Sequence, residues 1–446
     1  MRSLPCSSQV GKIQGAGGRE RACCVRAAAP SAPPPSGRRS AVQTAATSAV
    51  KATALAEAPP ATTAFTPRPV TSVLTLEGLK LPSYGAVSDF SKAEACFVQL
   101  LSTEDLDLRL RGDKALKQAA ATLEAAVQAA VTQAFSENSV ASKAKAAHLF
   151  LQRTLYRINR LVLFWYDDLK NYSNERSLYL AQLRDSIEGP WQAWELSQID
   201  VDALKTLSTD EIKERIRSQA AVDVDPPLSA AAQYMRQDMT RDGYRHLLAV
   251  GSLDGLAEAS RQSRVCGGAA NEVMCAIFRV LMEEYGTGRY NKKHSTFFAK
   301  MMTELGLSTE PEKYFDLSPW QCLASANHNF LLTERRRHYL RYNGGLTFFE
   351  VNGPSVYRTY LAAAQRLGLS DDASGYWELH IKEDERHGRQ MVEDVAVKLV
   401  DMYPNDAWEV LLGYDQEKMM GERAGAGSLP DIQAVDKAQR TPADAM

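Results

Sequence analysis

Two histidines and an aspartate, His380, Asp384 and His387, stand four and three residues apart in the run 377–387. At about 100° per residue they fall at roughly 0°, 40° and −20° on a helix, a stripe about 60° wide. A helix with this stripe supplies two imidazoles and a carboxylate from one face, which is half of a metal site of N/O character. The same run is dense in charge, Lys382-Glu383-Asp384-Glu385-Arg386, and such a run by itself describes a solvated face. Trp377, Ile381 and Met391 lie on or beside the triad side and point to burial instead.

The rest of the chain repeats helical periodicity. Leu106, Leu108, Leu110, Leu116, Ala119, Leu123, Val127 and Val131 are spaced mainly by threes and fours. Residues 139–171, 174–187 and 199–220 continue the pattern, with a break expected at Gly189-Pro190. His148 sits on an apolar face and reads as a packed histidine. The acidic, proline-paired run 222–227 marks a boundary, because a proline pair stops a helix. Further helices are expected near 228–249, 253–263, 267–285, 292–304, 317–342, 355–367, 374–402 and 405–421. Residues 346–351 form the one β-like run. These features predict an all-α chain: a helical domain of unknown role at 91–221, a bundle around a core site at 228–421, and a disordered tail at 422–446.

Residues 1–60 hold eight Lys/Arg and two Asp/Glu, a balance of +6 that leaves −8 for the remainder of a chain whose formal net charge is −2. A body of that sign is a poor partner for nucleic acid or an anionic membrane. The leader is rich in Ala, Ser, Arg, Gly and Pro and has no secretory apolar core, the signature of an organelle transit peptide. Val25-Arg26-Ala27 resembles the cleavage sites of algal chloroplast leaders, so the chloroplast stroma is preferred over the mitochondrion. Residues 61–90 read as a linker. The seven cysteines form no Cys-x-x-Cys pair, which signals neither a zinc ribbon nor a dithiol motif. No apolar run reaches the ~18 residues a membrane span needs.

A second element with chemistry is the run 282–294. A helix carrying Glu284 runs into Gly286 and Gly288, which should end it, and a new helix is expected near Asn291. On one straight helix Glu284 and His294 would point apart; the glycine break lets them converge. A third carboxylate is needed to balance two metals. Glu258, on an otherwise small and apolar stretch, is one choice, and Glu272 and Glu350 are its rivals.

The order Glu284-x9-His294 followed by His380-x3-Asp384-x2-His387, with Glu283-Glu284-Tyr285-Gly286-Thr287-Gly288 and Arg341-Tyr342-Asn343-Gly344-Gly345 around it, resembles the heme-oxygenase-like diiron oxidases, or iron-containing redox enzymes. The resemblance covers roughly 230–421. It implies a heme-oxygenase-like bundle in the C-terminal half and places a further glutamate one helical hairpin before Glu284, where Glu258 stands. It implies that Glu258, Glu284, His294, His380, Asp384 and His387 hold two irons and carry the catalysis, with O₂ as co-substrate. The absence of any Glu-x-x-His speaks against the ferritin-like spacing. Carboxylate and imidazole ligands without thiolate favour Fe(II), with Mn(II) admitted.

The expected function is an O₂-activating diiron oxidase or oxygenase acting on a small organic substrate, with a ferredoxin-type electron donor. Phe297, Phe298, Phe348, Phe349, Tyr376 and Trp377 are candidates to line its pocket, and Tyr285 is a candidate redox residue. The alternatives are a non-catalytic helical metal-binding or interaction protein and a haem- or bilin-handling enzyme. The N-terminal helices offer a dimerisation arm or a docking domain for a partner; a homodimer is one expectation.

Overall fold

The computed structural model describes residues 75–76, 79–80, 84, 87–136 and 141–439. The expected transit peptide and most of the linker lie outside the described residues. The first helices are α1 (Ser91–Leu101), α2 (Leu106–Gly112), α3 (Lys114–Phe135), α4 (Ala141–Asn159), α5 (Leu178–Leu196), α6 (Val201–Lys205) and α7 (Thr209–Asp223). Then come α8 (Ala230–Gln237), α9 (Arg241–Gly255), α10 (Glu272–Glu284), α11 (His294–Glu304), α12 (Trp320–Glu334), α13 (Tyr339–Arg366), α14 (Asp371–Gln390), α15 (Val397–Met402) and α16 (Trp408–Gln439). Strand pairing among the described residues is confined to a two-residue antiparallel ladder, Thr75–Leu76 against Leu79–Lys80.

Local chemistry sets the helix starts. Asp113 caps α3 by accepting from the amides of Ala115 and Leu116 at 2.8 and 3.1 Å. Asn271 caps α10 (2.8 Å to the Met274 amide), and Ser370 caps α14 with Asp371 and Asp372 in its first turn. Residues 371–402 form one continuous helical run, as the pattern predicts, but it widens into π-helix at Met391–Ala396 between α14 and α15.

Several expectations need correcting. All described residues fall in one compact unit; α7 runs to Asp223, and residues 224–229 connect it to α8 within that unit rather than marking a domain boundary. One apolar cluster joins Leu149 and Tyr156 of α4 to Leu253 of α9 and to Leu323 and Phe330 of α12. Arg153 of α4 is buried between Glu94 (2.7 Å) and Asp316 (2.9 Å), and Asn327 of α12 donates to both the carbonyl and the side chain of Gln152. A separate fold for 91–221 would leave these groups bare. The end of the linker is also fastened: the Tyr84 hydroxyl donates to Asp431 at 2.6 Å.

The tail at 422–439 is helical, because Ile432 and Val435 bury against the core while Thr240 donates to Asp436 at 2.6 Å. Its Ala- and Gly-rich composition hides five buried positions at helical spacing, Ser428, Asp431, Ile432, Val435 and Asp436. Gly189-Pro190 does not break the chain; α5 runs through Pro190 with Trp191 fully buried one residue on. The β-like run 346–351 lies inside α13.

The helix α13 is the spine of the C-terminal half, packed along both α14 and α16. It reaches α16 closely at Gly344, where a Cβ would run into the Val410 carbonyl. The Arg341–Gly345 segment thus serves helix contact, with Arg341 paired to Glu409 at 2.7 Å.

Candidate metal centre

The triad of α14 is buried: His380 is 5% exposed, Asp384 1% and His387 0%. Glu284 ends α10 and His294 begins α11, and both are buried. Between them Gly286 takes φ +59°, and a Cβ there would strike the backbone of Lys292. The glycine break therefore folds the chain back. Asn291 falls in the connecting turn, and the new helix starts at His294 itself.

The result is convergence. His294 Nδ1 stands 2.9 Å from Glu284 Oε2 and 3.1 Å from His380 Nε2. His380 turns Nδ1 to the Tyr376 carbonyl at 2.9 Å; donation there leaves Nε2 free to face the site. Glu284, His294 and His380 form one buried group whose ligating atoms lie within 4.8 Å of one another, and Glu284, Asp384 and His387 form a second. Glu284 belongs to both.

Glu258 sits nearby, but not on the helix expected for 253–263. The helix α9 stops at Gly255, and Glu258 occupies a 3-10 turn at φ +42°. Its carboxyl is buried in the same cavity wall as Glu284, His380 and Asp384. Lys293 lies 3.8 Å away, and neither Glu258 oxygen has a hydrogen-bond partner. Of the two rivals, Glu272 is exposed and paired to Lys398 at 3.3 Å. Glu350 is buried in the site, with Oε2 3.3 Å from His387 Nδ1.

Sequence reasoning held Glu350 only as a rival, and the apolar β-like look of 346–351 drew attention from it. Read in helical register, Glu350, Gly353 and Tyr357 share the face of α13 that meets Asp384 and His380; a Cβ on Gly353 would stand 2.9 Å from Asp384 Oδ2. Glu283 reads in the sequence only as a neighbour of Glu284, yet its Oε2 is 2.5 Å from His387 Nε2.

The electrostatics follow from packing five carboxyl groups, Glu258, Glu283, Glu284, Glu350 and Asp384, around the imidazoles. Burial, then the charge of Glu284, pushes the Glu258 carboxyl well above its usual range. Burial, then Glu350, does the same to Asp384. Burial would raise Glu284 as well, but the hydrogen bond and charge of His294 outweigh it and hold Glu284 low. Burial pushes His380 down to about 4. His387 goes the other way, to about 11: burial opposes, but the carboxylates of Asp384, Glu350 and Glu283 prevail.

A divalent cation fits this set. Both Glu258 oxygens, Asp384 Oδ2 and His387 Nδ1 are buried without hydrogen-bond partners. Nδ1 is near Glu350 and Asp384 by distance (3.3 and 3.6 Å), but not in hydrogen-bond geometry. Such atoms are costly to leave bare, and a cation in the second group would answer Asp384 and His387; Glu258 belongs to neither group. The donors are oxygen and imidazole nitrogen, a hard-to-borderline set.

Of the six aromatics expected at the pocket, Phe349 and Tyr376 line the cavity. Trp377 is instead packed under Tyr357 and Tyr360 and donates to the Tyr244 hydroxyl at 2.7 Å. Phe298 packs on Tyr376, Phe348 on Tyr414, and Phe297 lies under the Lys300 ammonium. Tyr285 is not among the lining residues; its hydroxyl is 3.2 Å from that of Ser260.

Residues 245–417 match the model of a family described as iron-containing redox enzymes. A nitrosourea synthase of Streptomyces achromogenes subsp. streptozoticus is 25% identical over 170 residues, which is 38% of this chain and 36% of that protein. The chain thus covers about a third of that relative's length, and the family match begins at residue 245.

Proposed function

From the match of residues 245–417 to the model of the iron-containing redox enzymes, we propose that this chain is an O₂-activating, non-haem diiron oxidase or oxygenase of a small organic substrate. The observation that carries the reading is the sharing of Glu284 between two buried groups, one with His294 and His380 and one with Asp384 and His387. One carboxylate common to two imidazole-bearing groups is what a pair of adjacent ions requires. Glu284, His294, His380, Asp384 and His387 would hold the irons, with Glu258 and Glu350 completing the oxygen donors; Mn(II) suits the same donors. Two Fe(II) ions supply two electrons for the reduction of O₂.

The chain's own residues set the conditions for that chemistry. The Tyr376 carbonyl fixes His380 with Nε2 inward. Tyr357, at ring distances of 5.0 Å from His380 and 5.5 Å from Trp377, lines the cavity with aromatic surface. Turnover with a substrate that gives up no electrons needs an external donor of the ferredoxin type. The relative's name makes nitrogen-bearing substrates one class to try.

Anaerobic loading with Fe(II), followed by O₂, tests the reading. Two irons per chain, with an O₂-dependent change in Mössbauer and optical spectra, are expected. Stoichiometry of one or none, or spectra indifferent to O₂, would sink it. The plastid address belongs to the same proposal, and fusion of residues 1–60 to a fluorescent protein checks it.

A further inference from the structure

We propose that the cavity beside the metal centre is built for a substrate bearing a positively charged nitrogen, an amine or a guanidinium, and that Glu417 receives that head group. The inference deepens the oxidase reading and rests on it for the claim that the occupant is a substrate.

The cavity has a volume of about 290 Å³, and Glu258, Glu284, Glu350 and Asp384 form one wall of it. The lining also includes Asp254, Arg261, Asn329 and Glu417. Arg261 is the guanidinium among the lining residues, and it is already engaged. Its Nε donates to Asn329 Oδ1 at 2.8 Å, its Nη2 bonds Asp254, and its plane lies over Phe330. An anionic head group would have to displace Asp254 from Arg261 and would then face Glu417.

Glu417 is in the opposite condition. No hydrogen bond or ion pair among the described residues reaches its carboxyl, and Arg261 acts on it only at longer range. Burial, then the charge of Asp254, pushes that carboxyl up to about 7. Glu417 is half-buried and lines the cavity, and a carboxylate there without a partner is best satisfied by a donor that brings positive charge. An ammonium brings three N–H groups and a guanidinium five, arranged as a fork that matches a carboxylate.

An independent observation also points to an occupant with hydrogen-bonding groups. The hydroxyl of Ser318 is fully buried, lines the same cavity and has no partner. Apolar surface for a stem comes from Leu332, Leu346 and Phe349, the last 43% exposed although it lies in the cavity wall.

Calorimetric titration with three chains of equal length, n-hexylamine, hexanoate and 1-hexanol, tests the assignment on the anaerobic Fe(II)-loaded protein. Hexylamine is expected to bind, and hexanoate more weakly by about 30-fold or more. Glu417→Gln, nearly isosteric and checked for an unchanged helical spectrum, should weaken hexylamine by about 30-fold while leaving hexanol alone. Asp384→Asn should retain hexylamine binding even where it abolishes iron, since Glu417 stands on α16. That arm separates the two ideas. If iron fails to load but Glu417→Gln still loses the amine selectively, only the oxidase reading falls. Hexanoate or hexanol binding as tightly as hexylamine, no heat with hexylamine at millimolar concentration, no effect of Glu417→Gln, or loss of the amine in Asp384→Asn alone would each overturn the inference.

Discussion

His387 and Glu283 meet on the outer side of the imidazole, Nε2 to carboxylate oxygen at 2.5 Å, while Nδ1 faces Glu350 and Asp384. The ring is thereby given one orientation, and with a cation on Nδ1 its remaining hydrogen would sit outward on Nε2, facing Glu283. Arg386 holds Glu283 in place from the other side at 2.6 Å. A carboxylate behind a metal-binding histidine typically contributes about 10–100-fold to metal affinity. Glu283→Gln should lower Fe(II) affinity by that order, and Glu283→Asp by less, as read by competition with a chelating dye. Equal affinity in all three proteins would refute the role.

Crowded carboxylates carry an internal conflict. Burial and Glu350 both oppose charge on Asp384, so metal-free protein keeps this group at a cost to stability. Asp384→Asn should therefore abolish iron loading yet leave metal-free stability unchanged or raised, by up to about 2 kcal/mol. Urea unfolding in the presence of a chelator measures it; a loss of more than about 1 kcal/mol would contradict the conflict.

Acid sensitivity should come from histidines that have nothing to do with metal. His148 and His246 are pushed down by burial to about 4, and His328 to about 3. All three are fully or almost fully buried. Their folded values lie below the unfolded value of 6.5, so between those limits the unfolded chain binds more protons. Stability is complete above about 6.5 and falls as pH drops toward 4. At pH 5 each histidine forfeits about 2 kcal/mol relative to pH 7.5. His328→Leu should flatten the stability profile by that share; an unaltered slope would show that the histidine is already protonated in the fold.

Much of the candidate metal centre was legible because helix geometry converts spacing into direction. His380, Asp384 and His387 needed only the 100° rule, and Gly286 announced the fold-back that joins Glu284 to His294. Glu350 was less legible: nothing in 346–351 distinguishes a buried helix from a strand, and its role appears only when α13 is laid against α14. The domain boundary misled for a related reason. A proline pair ends a helix whether or not the next helix packs on the same core, and the contacts that decide, such as Arg153 with Glu94 and Asp316, are far apart in sequence.

That shared core predicts cooperative behaviour. The chain should unfold in one transition, with no separate melting of residues 91–221, when circular dichroism and tryptophan fluorescence are followed together. Arg153→Ala should lower stability by about 1.5–3 kcal/mol, because Glu94 keeps Arg157 at 2.5 Å but loses its hydrogen bonds from Arg153. Two resolved transitions, or a negligible effect of Arg153→Ala, would restore the two-domain view.

The π-helical stretch Met391–Ala396 follows the last residue of the triad helix almost at once. An α-helix advances about 100° per residue, so deleting one residue from this stretch would turn either the triad or α15 by about that angle. The triad answers to α10, α11 and α13, whereas Leu399 and Val400 are locked among Ile212, Ile216 and Leu411. One end of the rod would have to abandon its partners. Chain length across these six positions is consequently a fixed quantity, and a site can be destroyed here without altering any of the residues that form it.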